Sequence, residues 1–221
     1  MADEDKGFAL RRRVASLLLS DTCNRIFFTC GAASVPPGSY SNVALALLSA
    51  PSKAKGKGDD RPISVKIEKQ PKGADASYAQ KENLLSFSDS AFDKGLMNQH
   101  KVVHEATHAI FDYQKSPFSI DQEAAAFVAG GMYLARELDK IKKGVRTDDP
   151  NDIGGMLMVQ SVVIGIELWE SNSNVVSVKQ MALIKDLIKK YPPYGGDYFD
   201  PDRIKNDGFR PPFAFRWPRK K

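Results

Sequence analysis

His104-Glu105-Ala106-Thr107-His108 decides how this chain is read, together with Ser119-Ile120-Asp121-Gln122-Glu123-Ala124 a short way downstream. The first stretch is an HExxH pattern and uses two of the three histidines in 221 residues. On a helix, side chains four apart share a face, so both imidazoles point at one spot. That spot suits a zinc ion, and Glu105 beside it has the placing of a general base. The spacing predicts a helix from about Leu96 to about Asp112, with apolar Val102, Val103, Ala106, Ile110 and Phe111. Apolar flanks bury such a helix, and buried histidine and glutamate side chains need partners. The plain alternative is a pair of surface histidines, or of hydrogen-bonded core histidines.

A catalytic zinc takes three protein ligands and keeps one position for water. Gln114 to Phe118 reads as a short connection broken by Pro117. Ser119 to Gln122 fits a capping box, which starts a second helix that folds back and runs toward Leu138. Glu123, in its first turn, is the expected third ligand and completes a His-His-Glu set. Asp121 competes for that role, but its shorter side chain suits capping. His100 lies four residues before His104 on the same face. Three histidines at this spacing extend about 12 Å along the axis, too far for one ion, so His100 is read as lining the cleft and orienting substrate. The second helix is rich in Ala and holds Gly130 and Gly131. Each interior glycine costs a helix about 1 kcal/mol, which close packing by a neighbouring helix offsets.

Working outward, Ile63 to Ile67 alternates apolar and polar as a half-buried strand does, and Leu84 to Phe87 reads as a second strand. Residues 51–62, 71–79 and 140–151 read as loops. Further helices are expected near residues 8–20, 156–169 and 178–190, with a short Ala/Leu-rich segment at 41–48. Past Tyr191 an aromatic-rich tail, 191–221, is expected to pack over the rest. The fold class is therefore α+β, with a helical core and a small N-terminal sheet in one domain over 1–221. Its motif region spans 60–140.

Composition narrows the function. The chain is 42% apolar and 27% charged, which is globular. The net charge of +5 is mild, and part of it comes from Arg216, Arg219, Lys220 and Lys221. The charges form no long stripe and no reading motif occurs, so no nucleic-acid partner is expected. Cys23 and Cys30 are too few for a secreted disulfide framework. No apolar run suggests a membrane span. The apolar run after Arg11-Arg12-Arg13 is too short for a cleaved signal, which leaves a cytoplasmic protein or one exported by another route.

HEATHAIFDY at 104–113 followed by DQEAAAFVAGG at 121–131 resembles the small zincin-like metallopeptidases of the gluzincin type, in particular the minimal domain of the ImmA/IrrE group. The likeness covers about residues 60–140: a strand pair, an HExxH helix, a short link, then a helix opening with Glu-Ala. It implies a zincin-like fold with Zn2+ held by His104, His108 and Glu123. Glu105 would take a proton from water and pass it to the leaving amine of a peptide bond. Ala124 matches the small residue after the third ligand. Phe127 departs from the larger gluzincins, some of which carry there an aspartate that supports a zinc histidine. The resemblance also implies an edge strand that captures extended peptide beside the active helix, and Leu84 to Phe87 is the strand expected to do so. A second donor at such a site helps to hold the developing oxyanion. The candidates are His100, Tyr113, Tyr133, Tyr194 and Tyr198, with Tyr194 favoured because Pro192-Pro193-Tyr194-Gly195-Gly196 reads as a covering loop. The expected partner is a protein or peptide substrate. Three rivals stand beside this reading: a zinc amidase on a non-protein substrate, an inactive zincin-fold binding or regulatory module, and a toxin or effector with one host protein target. An intact Glu105 argues against the inactive module.

Overall fold

The computed structural model describes residues 3–49, 62–70, 74–140, 149, 151–171, 173–191 and 194. These residues form seven α-helices and two small β-sheets, a mixed α+β fold. The lysine-rich loop before Pro62, most of 140–151 and the tail beyond Tyr194, Tyr198 included, lie outside the described residues.

In chain order, helices α1 (Asp3–Leu18) and α2 (Asp21–Asn24) lead into a hairpin of β1 (Phe28–Cys30) and β2 (Ala33–Val35), followed by α3 (Ser39–Ser49). Strands β3 (Ser64–Ile67), β4 (Ala76–Ala79) and β5 (Leu84–Phe87) form the second sheet. Four helices complete the set: α4 (Leu96–Tyr113), α5 (Ile120–Lys140), α6 (Ile153–Glu170) and α7 (Val178–Lys190).

Helix α4 forms where the apolar period placed it. Val102, Val103, Ala106, Ala109 and Ile110 are all at most 2% exposed, so the HExxH helix runs through the core rather than over it. Helix α5 packs between α4 and α6. Its small residues do what close approach requires. A Cβ on Gly131 would lie 2.2 Å from the Ser161 carbonyl oxygen of α6, and one on Gly165 would lie 2.8 Å from the Met132 backbone. Among the described residues, α6 is the one helix long and apolar enough to cross a membrane by length and composition. Its Leu157, Ser161, Ile164 and Leu168 are buried.

Two strand expectations need correction. The three-stranded sheet has the order β3-β5-β4, with β3 parallel and β4 antiparallel to β5. Leu84 to Phe87 is therefore the central strand, and its main chain pairs on both sides. Its burial agrees, since Leu85, Ser86 and Phe87 are all buried. The edge next to α4 belongs to β4, within a segment that reads as a loop. Its sequence, Ala-Ser-Tyr-Ala, buries only Tyr78, so no apolar alternation announces it.

The β1–β2 hairpin turns at Gly31, whose φ of +60° favours glycine. Asp121, at the start of α5, accepts a hydrogen bond from the Ala32 N–H at 2.8 Å and pairs with Lys185 of α7. This clip fastens the hairpin and α7 to the first turn of α5.

Candidate metal centre

The helical period brings His104 and His108 together, and the α4–α5 packing adds Glu123. The two Nε2 atoms are 3.3 Å apart. Glu123 Oε1 lies 3.1 Å from His104 Nε2, and Oε2 lies 3.3 Å from His108 Nε2. Among the described residues these three form the one group of histidine, cysteine and carboxylate side chains close enough to hold a metal ion. Glu123 is wholly buried, whereas His104, Glu105 and His108 keep 7–9% exposure. The whole cluster is therefore buried, and Glu123 is its deepest member.

Burial and charge oppose each other here. Burial pulls His108 down, but the Glu123 carboxylate, with Glu105 behind it, outweighs burial and holds His108 above its ordinary value. Burial pushes Glu123 up, yet the two histidines hold it well below the usual carboxylate range. Glu105 ends on the other side. Burial dominates and raises it, against the pull of both histidines and a hydrogen bond from the Tyr78 main-chain N–H.

The donor set fits a metal ion. Ligand atoms about 2.0–2.1 Å from a tetrahedral zinc sit about 3.3–3.4 Å apart; the two Nε2 atoms are 3.3 Å apart, and with one oxygen of Glu123 all three ligand atoms lie within 4.8 Å of one another. Both Glu123 oxygens and His108 Nδ1 are buried without a hydrogen-bond partner. A carboxylate at this depth is costly unless a cation or strong donors meet it. With both imidazoles neutral and their Nε2 lone pairs turned inward, one cation would meet both Nε2 atoms and the carboxylate, whereas His108 Nδ1 points away from it.

His100 stands outside the metal-ligating group. Its Nδ1 donates to the Met97 carbonyl at 2.6 Å, and burial pulls its pKa down to about 4. Gly130 gives it room, since a Cβ there would lie 3.4 Å from His100 Cδ2. Phe127 packs edge-on to His104 at 4.6 Å between ring centroids, and Tyr194 packs on Phe127 at 6.1 Å. Tyr194 thus belongs to an aromatic wall that also includes Tyr191, at 5.6 Å. The Tyr133 hydroxyl donates to Gln99 Oε1 at 2.8 Å. Asp121, the rival third ligand, is taken up by the hairpin clip. Cys23 and Cys30 are free and buried, and burial pushes both thiols up to about 12.

Sequence reasoning missed two residues here. Asp112, one turn beyond His108, is fully buried and accepts a hydrogen bond from the Tyr78 hydroxyl at 2.7 Å. Its i+4 spacing from His108 was a usable clue. Tyr78 carried none, because its strand was not legible.

No protein-family model matches the chain, and no curated protein or solved structure is significantly similar to it.

Proposed function

We propose that this protein is a zinc-dependent metallopeptidase with a zincin-like centre, in which His104, His108 and Glu123 hold the metal and Glu105 is the general base. The observation that carries this reading is the convergence of two Nε2 atoms and a buried carboxylate at 3.1–3.3 Å, with Glu105 next to them on the same helix. A bound zinc ion supplies Lewis acidity toward a water and a scissile carbonyl. Glu105 accepts the proton of the attacking water and returns it to the leaving amine. Its raised pKa serves both halves of that task, because it binds the proton readily and is a usable acid afterwards.

A specific observation favours peptide over a small non-peptide amide. Strand β4 is the edge strand beside α4, and the outward main-chain groups it keeps besides the Tyr78 N–H can pair with an extended chain. Phe127, Tyr191 and Tyr194 supply an aromatic surface near His104 against which a substrate side chain can pack.

Metal analysis after zinc supplementation and desalting is expected to give about one zinc per chain, the stoichiometry of a three-ligand catalytic site. Glu105→Gln is expected to keep the zinc and lose cleavage of a peptide library read by mass spectrometry. Absence of zinc uptake would overturn the reading, as would undiminished cleavage by the variant.

A further inference from the structure

Glu105 and Asp112 lie seven residues apart on α4, two turns along one face and about 10.5 Å apart along the axis. A single tyrosine from another element reaches both. The Tyr78 hydroxyl donates to Asp112 Oδ2 at 2.7 Å, and the Tyr78 main-chain N–H is turned toward the Glu105 carboxylate.

The strand register accounts for the main-chain contact. Ser88 donates to the Asp75 carbonyl at 2.9 Å, and Ser77 then faces Ser86 and Ala79 faces Leu84. Hydrogen-bonded pairs alternate along an antiparallel ladder. Asp75, Ser77 and Ala79 therefore turn their main-chain groups toward β5, whereas Ala76 and Tyr78 turn theirs toward the edge. The helix packed against that strand is α4.

The side-chain contact is part of a buried polar chain. Asp112 is 0% exposed, Asn83 1% and Tyr78 6%. A carboxylate at that depth needs a donor, and the single Tyr78 proton supplies one. The hydroxyl oxygen is then an acceptor for the Asn83 amide, which lies 3.3 Å away and can turn its nitrogen toward it.

We propose that Tyr78 is a positioning residue for the general base. Its hydroxyl, anchored on Asp112, fixes the height of β4 along α4 and so keeps the Tyr78 N–H on the Glu105 carboxylate. An N–H on one oxygen fixes the plane of the carboxylate and leaves the other oxygen to take the proton. This role rests on the reading of Glu105 as the base.

Two readouts test it. In metal-free protein, amide exchange at residue 78 is expected to be slow in the wild type and about tenfold or more faster in Tyr78→Phe, since the opening that exposes the amide becomes easier. In zinc-loaded protein the probe is acetohydroxamate, a zinc chelator whose N–H and O–H can bond a neighbouring carboxylate. Tyr78→Phe is expected to weaken its binding about tenfold, the worth of one hydrogen bond to a charged group. In a Glu105→Ala background the same substitution is expected to change nothing, because Tyr78 acts through Glu105. Asp112→Asn keeps an acceptor for the hydroxyl and is expected to retain wild-type behaviour in both readouts. Should Tyr78→Phe fail to fold, Asp112→Ala cuts the same bond from the other end, with the same expectations. Equal losses in both backgrounds would overturn the positioning role, as would slow exchange that survives the substitution. A chain that takes up no zinc overturns the metal reading and the base with it, whereas unchanged exchange with zinc bound overturns the role of Tyr78 alone.

Discussion

Glu123 is the side chain on which the centre turns. It is 1% exposed, it faces two imidazoles, and it has no hydrogen-bond donor besides them. Glu123→Gln keeps the shape and removes the charge. Zinc affinity, read by competition with a chromophoric chelator, is expected to fall by more than the about 10–100-fold typical of losing an outer-shell partner. His100 gives an independent check on the same helix. Its imidazole donates to a carbonyl and is desolvated, so its NMR titration is expected near pH 4 rather than near the ordinary value of 6.5. A midpoint above 6 would mean that the ring is solvated and that the α4–α5 contact at Gly130 is looser than described. At this scale the sequence was most legible where one period governs. His104 and His108 follow from 3.6 residues per turn, and Glu123 follows from a link too short to do anything but fold back. Position 127 was marked as a neighbour of the centre by resemblance alone, and Tyr78 was not legible at all. No local rule places a phenylalanine edge against a histidine, or a strand amide on a carboxylate of a distant helix.

At the scale of elements, the five longest helices and strands β3 and β5 were legible, whereas α2 and β4 were not. Long apolar periods marked α4 to α7, whereas β4 is four residues with one buried side chain. Strand pairing decides such a segment, and pairing is set by β5 rather than by β4 itself. The small residues of α5 were legible as a packing surface, and the α5–α6 crossing makes that testable. A methyl on Gly131 would meet the Ser161 carbonyl oxygen at 2.2 Å and carbon at 2.3 Å, both backbone atoms that cannot turn aside. Gly131→Ala gains up to about 1 kcal/mol of helix propensity and forces the helices apart. A net loss of about 2 kcal/mol or more is expected from overpacking, seen as a melting temperature lower by about 4–8 °C for a chain of this size. Gly7→Ala in α1 is the control. Nothing lies within 4 Å of its added methyl, so only the propensity gain remains and the melting temperature is expected to hold or rise. Equal effects at the two sites would contradict the close crossing.

For the whole molecule, the cluster of His104, His108 and Glu123 with Glu105 couples folding to pH. His108 is held above its ordinary value of 6.5, and Glu105 is held above 4.5. Between the unfolded and folded values of each group, the folded chain binds the extra proton. The stability each group lends is therefore complete below its unfolded value and drains away as pH rises through the folded one. Glu123 runs the other way. Its folded value lies below 4.5, so its contribution is already complete above that pH and is flat in the neutral range. His100, lowered to about 4 from 6.5, is likewise spent once pH passes 6.5. Above pH 6.5, then, the groups of the centre all push in one direction or in none. Metal-free protein is expected to lose melting temperature between pH 6.5 and 8.5. Zinc reverses the trend. It needs neutral imidazoles and an ionised carboxylate, so its affinity grows as pH rises. A ligand that binds only the folded chain stabilises it by RT ln(1 + [L]/Kd). Melting curves taken with EDTA and with excess zinc are therefore expected to diverge as pH increases, with the wider gap at pH 8.5. Parallel curves would mean that the His104, His108 and Glu123 cluster is an ion pair within the fold and not a metal centre.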